Sequence, residues 1–381
     1  MIPAPATLAV LGGGQLGRFF VTAAHELGYR VIVLDPDENA PAGRIADEHL
    51  IKDYDDPVAL TYIAQHAKAA TTEFENVPAI ALEQLAQNID VYPSAAAVAI
   101  AQNRIAEKGF LRNNGFNTAP FAIINSADDF NNIDAALFPA ILKTARFGYD
   151  GKGQAHVNNI SEAKAAFNDN NNAPCVLETK VHLDLEVSLV MARNAHGEVE
   201  CFTLAENQHR DGILDISITP ARVSSTLRAE AEKTAHDLAE KLNYIGILTI
   251  EFFISEGALL INEIAPRPHN SGHYTLDACY CSQFEQQVRA LCDLPLASSY
   301  QHSAAVMVNL LGDIWFSDNN NSPADPAWGK TLAAQNLKLH LYGKHEPRKG
   351  RKMGHFTIVD SDSERALKTA LNTRKIIQTT A

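Results

Sequence analysis

Apolar and polar positions alternate along the first ninety residues in short runs separated by longer amphipathic stretches. Residues 7–11 form an apolar run that ends on Gly12-Gly13-Gly14-Gln15-Leu16-Gly17, and helical spacing follows to about Leu27. A second run, 31–34, stops at Asp35, and 48–51 is a third candidate strand. Helical spacing returns at 57–67 and 79–87, with strand-like runs at 71–74 and 90–92. Short apolar strands alternating with helices predict a parallel sheet joined by right-handed crossovers. A helical pattern then runs from Ser94 to about Asn113 and breaks at Asn114-Gly115.

The texture changes at Pro120. Short strands and loops fill the chain to about residue 220, with an Asn-rich surface segment at 168–172. The spacing predicts an amphipathic helix over 225–242, a β-hairpin over 248–264 and a further helix over 276–291. The last eighty residues read as a small, mostly β unit with a helix near 363–371. No internal repeat at a solenoid period is present.

Composition narrows the picture. At 381 residues the chain has room for two or three domains, and 46% hydrophobic residues supply their cores. The charge sum, 32 − 45 = −13, excludes a domain-wide basic footprint for nucleic acid. Any phosphate site must therefore be built from local cations against a repelling field. The five cysteines include no CxxC pair, which speaks against a zinc site or disulfide framework and fits a reducing cytosol. The Ala-rich stretch 95–101 is too short to span a membrane. The first apolar run has no Lys or Arg before Arg18, unlike a signal peptide.

Three segments carry candidate chemistry. Gly12, Gly14 and Gly17 lie between a strand and a helix, and Asp35 ends the next strand, the arrangement of a dinucleotide fingerprint. Read alone it points to NAD; the plainer reading is a tightly packed βα turn. The second segment, Lys143 to Gln154, holds Gly148, Gly151 and Gly153 beside Lys143, Arg146 and Lys152. It is not a Walker A loop, but glycine amides and cations can surround a polyphosphate. The third pairs Glu251 and Glu263 across the turn Ser255-Glu256-Gly257. A three-residue loop puts the two acids on one face as partners, and a two-residue loop puts them on opposite faces. As partners among apolar neighbours they call for a cation, and Mg²⁺ with nucleotide phosphates is the economical one.

Seven motifs taken together carry a resemblance: residues 11–18 (LGGGQLGR), 71–77 (TTEFENV), 148–154 (GYDGKGQ), 186–190 (EVSLV), 207–214, 262–275 (NEIAPRPHNSGHYT) and 350–355 (GRKMGH). In this order the chain resembles the ATP-grasp ligases, and within them the 5-(carboxyamino)imidazole ribonucleotide synthase family of purine biosynthesis. One position departs from the family pattern: Ala145 stands where a second basic residue is common.

The resemblance implies an ATP-grasp fold of mixed α/β and α+β class. A Rossmann-like pre-ATP-grasp domain would cover 1–95, the ATP-grasp domain 96–300 with a lid at about 119–190, and a small β-rich domain 301–381. It implies that ATP contacts Arg104, Lys143, Gly148, Tyr149, Asp150, Gly151, Lys152, Gly153 and Gln154. Further ATP contacts are Glu178, Thr179, Lys180 and Val181 at the adenine, Glu186 at the ribose, and His209, Asn262 and Glu263 at the phosphate end. Glu251 and Glu263 would hold Mg²⁺, in up to two sites and with Mn²⁺ as a substitute. Glu73, Tyr149, Asp150, Lys152, Lys344 and Arg351 would bind 5-aminoimidazole ribonucleotide. The chemistry is assigned to Tyr149, Asp150, Lys152, His209 and Arg267.

The implied reaction uses ATP, bicarbonate and the ribonucleotide and passes through carboxyphosphate. The resemblance further implies a cytoplasmic homodimer with no nucleic-acid or membrane partner. A non-catalytic nucleotide sensor on this scaffold is opposed by the retention of Glu251, Glu263 and Lys143. Two rival enzymes stand beside this family. One is a formate-dependent glycinamide ribonucleotide transformylase, opposed by segments 148–154 and 269–275. The other is an NAD-dependent oxidoreductase, which accounts for nothing after residue 100.

Overall fold

β1 (Thr7–Leu11) is buried on both faces: Leu8 and Val10 join one apolar cluster, Ala9 and Leu11 another. Such a strand belongs at the centre of a parallel sheet covered by helices on both sides. In the computed structural model, which describes residues 1–146, 148, 153–316 and 323–379, it does. α1 (Gln15–Glu26) follows the glycine loop, then β2 (Arg30–Leu34), β3 (Glu48–Leu50), α2 (Pro57–His66), β4 (Ala69–Thr72), α3 (Ala79–Ala86) and β5 (Asp90–Val91). The strand order is β3-β2-β1-β4-β5, all parallel.

β4 lies two residues earlier than its apolar pattern predicts. Leu11 pairs with Thr72, so the ladder ends there and Glu73 leaves the sheet beside the glycine loop. The helical pattern from Ser94 is also two helices, α4 (Ala95–Ala101) and α5 (Arg104–Asn113). Asn103 leaves helical geometry (φ −136°, ψ 109°), and its side chain accepts the amides of Ile105 and Ala106 as an N-cap. The break starts a new helix at Arg104 and aims that face at the site.

The segment expected as the lid is a four-stranded antiparallel sheet of β6 (Phe121–Ile124), β7 (Ala140–Thr144), β8 (Gln154–Val157) and β9 (Cys175–Thr179), ordered β6-β9-β7-β8. α6 (Ile160–Asp169) covers one face through Ala163 and Phe167.

The largest sheet is built from β10 (Leu185–Arg193), β11 (Val199–Cys201), β12 (Ala205–Arg210), β13 (Ile213–Thr219), β14 (Gly246–Ser255) and β15 (Ala258–Ala265). α7 (Ser225–Lys241) packs on it through Ala231, Ala235 and Leu238. The predicted helix at 276–291 is instead α8 (Thr275–Ala278) and α9 (Gln283–Leu291). Ser282 caps the second, and Cys279 bridges to Gln301 between them. α9 places Phe284, Val288 and Leu291 in the cluster that also holds α1, so the central unit covers one face of the parallel sheet.

The C-terminal strands β16 (Ala304–Leu311), β17 (Leu337–Leu341) and β18 (Lys352–Asp360) continue the large sheet rather than forming one of their own. β16 pairs with β13, and the order is β15-β14-β10-β12-β13-β16-β18-β17, with β11 beside β10. A short helix, α10 (Trp328–Thr331), precedes β17, and α11 (Ser363–Thr379) outruns its predicted end and buries Ala366 and Ala370 against Ile216 and Phe356.

Candidate active site

The acid pair sits on one face for a reason the turn alone does not supply. The β14–β15 hairpin has a two-residue loop, Glu256-Gly257, closed by Ser255 against Ala258. That loop by itself sets Glu251 and Glu263 on opposite faces. A β-bulge between Glu251 and Phe252 shifts the register by one, so Phe252 faces Ile261 and Glu251 faces Glu263, with Asn262 as the extra residue. Desolvation, then the Glu263 charge, pushes the Glu251 carboxyl up to about 7, against the pull of His209. Two acids so held could hold a divalent cation between them.

Around them the polar groups form one network. Arg104 Nη2 lies 3.6 Å from Glu263 Oε2, and its guanidinium also donates to the carbonyls of Thr144 and Gly148. Its backbone amide bonds the Ala145 carbonyl at 2.9 Å, so the residue that departs from the family pattern still anchors α5 to the lid. Lys143 Nζ donates to Glu178 Oε1 at 2.6 Å. Lys108 Nζ lies 2.6 Å from Oε2 of the same carboxylate.

His209 is a diagonal neighbour of Glu186 across β10 and β12, where Glu186 pairs with Asn207. Its Nδ1 lies 2.5 Å from Glu186 Oε2. Desolvation alone would lower its pKa; the hydrogen bond and charge of Glu186 outweigh that and raise it.

His269 faces Glu251 from the loop after β15, with Nε2 3.3 Å from Glu251 Oε1. Desolvation, then the charges of Arg267 and Lys352, holds its pKa well below the usual histidine value, so it is neutral. Its Nδ1 accepts the Ser271 amide at 3.3 Å, which leaves the ring proton on Nε2, toward Glu251. Behind it runs a buried chain. Ser271 Oγ bonds Ser188 Oγ at 2.7 Å, Asn207 Nδ2 donates to Ser188 at 2.8 Å, and Ser217 donates to Asn207 Oδ1 at 2.8 Å.

The glycine loop is organised by carboxylates of the chain itself. Gly14 N–H donates to Glu73 at 2.6 Å, and Gly13 N–H donates to Asp35 at 2.6 Å. Asp35 also accepts from the Tyr54 hydroxyl at 2.8 Å and the Asp37 amide at 2.8 Å. Asp35 therefore serves the loop, which removes the acid that the NAD reading needed. Gly12 has φ +108°, and a Cβ on Gly17 would lie 2.5 Å from the Gly12 carbonyl, so the turn and the first helical contact both require glycine.

Arg267 joins the two halves. It leaves β15 and pairs with Glu75, just after β4, with Nε 3.1 Å from Oε2 and a second, shorter contact from Nη2. The Arg267 charge, outweighing desolvation, holds the Glu75 carboxyl below its usual range, and Lys352 and Arg104 add to this. In the basic segment Lys344 Nζ donates to the Lys352 carbonyl at 2.7 Å, and Arg351 Nη1 donates to the Glu346 carbonyl at 2.9 Å. Arg44 Nη1 reaches the Gly343 carbonyl at 3.1 Å, bringing the glycine-loop side against this segment.

A histidine group lies nearby, where α1, α8, β17 and β18 meet. Asp277, His340 and His355 each bring one ligand atom within 4.8 Å of the others. His340 and His355 stack at 4.6 Å with planes 19° apart, so their in-plane lone pairs run side by side and do not converge on one ion.

Of the residues expected from the sequence, Arg104, Lys143, Glu178, Glu186, His209, Glu251, Glu263 and Arg267 fall into this network, with Glu73 at the glycine loop. Asn262 is the bulge residue, and the amides of Thr179 and Lys180 bond the carbonyls of Pro120 and Pro139. Gln154 pairs with Lys143 across β7 and β8. Tyr149, Asp150, Gly151 and Lys152 lie outside the described residues. Lys108 was not singled out in the sequence, and Glu75 and His269 were read only within the motifs 71–77 and 262–275, with no role of their own. Lys108 had a signal, one helical turn past Arg104; Glu75 is paired only by tertiary folding.

Three family models match in succession: the ribonucleotide synthetase preATP-grasp domain at 6–102, the ATP-grasp domain at 109–284, and the phosphoribosylaminoimidazole carboxylase C-terminal domain at 305–369. The N5-carboxyaminoimidazole ribonucleotide synthase of Brucella melitensis is 45% identical over 360 residues, 93% of this chain and 96% of that protein. A crystal structure of an N5-carboxyaminoimidazole ribonucleotide synthetase in complex with ADP aligns at TM-score 0.90 and 37% identity, covering 100% of this chain and 98% of that one. The Aspergillus clavatus synthase in complex with ADP and 5-aminoimidazole ribonucleotide aligns at TM-score 0.87 and 29% identity, covering 98% and 99%. With this identity sustained over nearly its whole length, the chain belongs to the N5-carboxyaminoimidazole ribonucleotide synthase family of ATP-grasp ligases.

Proposed function

We propose that this protein joins bicarbonate to the exocyclic amine of 5-aminoimidazole ribonucleotide, converting ATP to ADP and phosphate. The observation that carries the reading is the Arg267–Glu75 pair. It ties the end of the site built from Glu251, Glu263 and His209 to the glycine loop of Glu73 and Gly14. Substrates bound at these two ends would be linked through that pair.

Bicarbonate oxygen attacks the γ-phosphorus, ADP leaves, and carboxyphosphate forms. The carboxyl group then passes to the amine, directly or as released CO₂, and phosphate departs with the proton that the amine gives up. The chain's part is positioning, charge stabilisation and exclusion of water. Lys143 and Arg104 bind phosphate oxygens, and the glycine-rich segment 148–154 is assigned to the same phosphates. Residues 179–181 take the adenine and Glu186 the ribose, while the Glu178 carboxylate is held between Lys143 and Lys108. Arg267, fixed by Glu75, offers a planar fork to the intermediate, and neutral His269 turns its Nε2 proton to Glu251. Mg²⁺ held by Glu251 and Glu263 would neutralise phosphate charge. Lys344 and Arg351 take the 5′-phosphate, and Glu73 lies at the ribonucleotide end. Among the described residues no helix is long and apolar enough to cross a membrane. Placement in the cytoplasm and assembly as a homodimer are part of this proposal.

ADP release measured with each component omitted tests the reading. Turnover is expected only with Mg²⁺, bicarbonate and 5-aminoimidazole ribonucleotide together. Stimulation by glycinamide ribonucleotide plus formate, and none by aminoimidazole ribonucleotide, overturns it.

A further inference from the structure

One buried carboxylate is shared by two lysines, and the proposed phosphate site uses only one of them. Lys143 Nζ is 2.6 Å from Glu178 Oε1, and Lys108 Nζ is 2.6 Å from Glu178 Oε2. The three side chains are 9%, 3% and 2% exposed, in the order Lys143, Lys108, Glu178. Lys143 and Glu178 belong to the lid sheet, on β7 and β9. Lys108 belongs to α5, one turn past Arg104, and its Nζ also reaches the Ile261 carbonyl on β15 at 3.5 Å.

The charges decide what a phosphate meets. Lys143 and Glu178 alone sum to zero, and with Lys108 the cluster carries +1. In a dry setting such close charges are weakly screened, so this difference matters at Lys143. Lys108 also occupies the second carboxylate oxygen, so Glu178 grips Lys143 through one oxygen only.

We infer that Lys108 is a positioning residue for the nucleotide: it neutralises Glu178 from behind and leaves Lys143 one uncompensated positive charge for a phosphate. The inference rests on the proposed role of Lys143 as a phosphate ligand. The competing role is a plain anchor of α5 to the lid sheet, which any contact of similar strength would fill.

Calorimetric titration with MgADP separates the two. Lys108→Met leaves the cluster at zero and is expected to weaken MgADP about tenfold or more. Lys108→Met with Glu178→Gln restores +1 and is expected to recover affinity to within about threefold of the parent. Lys108→Arg keeps the charge and is expected to retain most of the binding. The Michaelis constant for 5-aminoimidazole ribonucleotide should stay constant throughout.

Parental affinity in Lys108→Met, or a double variant no tighter than the single, overturns the inference. A plain anchor predicts the second of these, because the double variant lacks both contacts. Should Lys108→Met fail to fold, Glu178→Gln and the double variant carry the test. Their sums are +2 and +1, the former is expected to bind tighter, and equal affinities overturn the inference. Lys143→Met is the control: unchanged MgADP binding there refutes the phosphate site itself. Binding lost with Lys143→Met but kept with Lys108→Met refutes only the role of Lys108.

Discussion

Glu251 shows how a residue's setting declares its use. A carboxyl brought up to about 7 by desolvation and by the Glu263 charge is unfavourable in the absence of a cation. An acid pair kept for packing would be replaced by amides without loss of activity. We therefore expect Glu251→Gln and Glu263→Gln each to abolish ligation while unfolding no earlier than the parent on heating. Normal turnover of both variants at saturating Mg²⁺ would exclude the metal role. Lower thermal stability with activity intact would assign the pair to the fold. Asp35 illustrates the opposite case, a residue in a ligand-like pattern whose oxygens are taken by Gly13, Asp37 and Tyr54.

Among the elements, the β14–β15 hairpin is the one on which the site depends most. Its two-residue loop places Glu256 at φ +51° and Gly257 at φ +77°. Both central positions need the left-handed region, which suits Asn-Gly better than Glu-Gly. Glu256→Asn is expected to stabilise the protein by ~0.5–1 kcal/mol, read as a higher urea midpoint at constant slope. MgADP affinity should not move, because the bulge beside Glu251, and not the turn, sets the face of the acids. An unchanged or lower midpoint would show that the loop carries no strain of this kind.

On the scale of the whole molecule, the parallel sheet, the large sheet and the C-terminal strands meet around fully buried histidines. His273 and His355 lie 4.7 Å apart between ring centroids, with Phe19 of α1 beside both. Desolvation, reinforced by His340, Lys352, Arg267 and Lys344 around His273 and by His273 and His340 around His355, holds both well below 6.5. His340 is itself paired with Asp277 at 2.9 Å. Both are thus neutral when folded and take up protons on unfolding below about pH 6.5. Their contribution to stability is complete above that pH and is lost as pH falls toward their folded values. The melting temperature should decline from pH 7 to pH 5. His355→Phe should melt lower at pH 7.5, since it loses the Tyr342 hydroxyl partner at 2.9 Å, yet decline less steeply. Equal slopes in parent and variant would refute this account.

Local chemistry wrote much of this protein into its sequence. The alternation of β1 to β5 with helices, the glycine turn and α7 follow from hydrophobic period and turn residues, which act between neighbours in the chain. The family resemblance likewise named most of the network, including Lys143, Glu178, Glu186, His209 and Arg267. Tertiary structure decided the rest. Cap competition at Asn103 split a helix that the apolar spacing ran together, and Ser282 did the same for α9. The Glu251/Glu263 face was fixed by a bulge, because strand register is an agreement between two strands and a one-residue slip reverses every side chain. The Arg267–Glu75 pair spans residues 192 apart, and the second ammonium on Glu178 arrives from another sheet's supporting helix. Sequence carries the identity of such charges, and only the closed fold removes the water that would otherwise screen them.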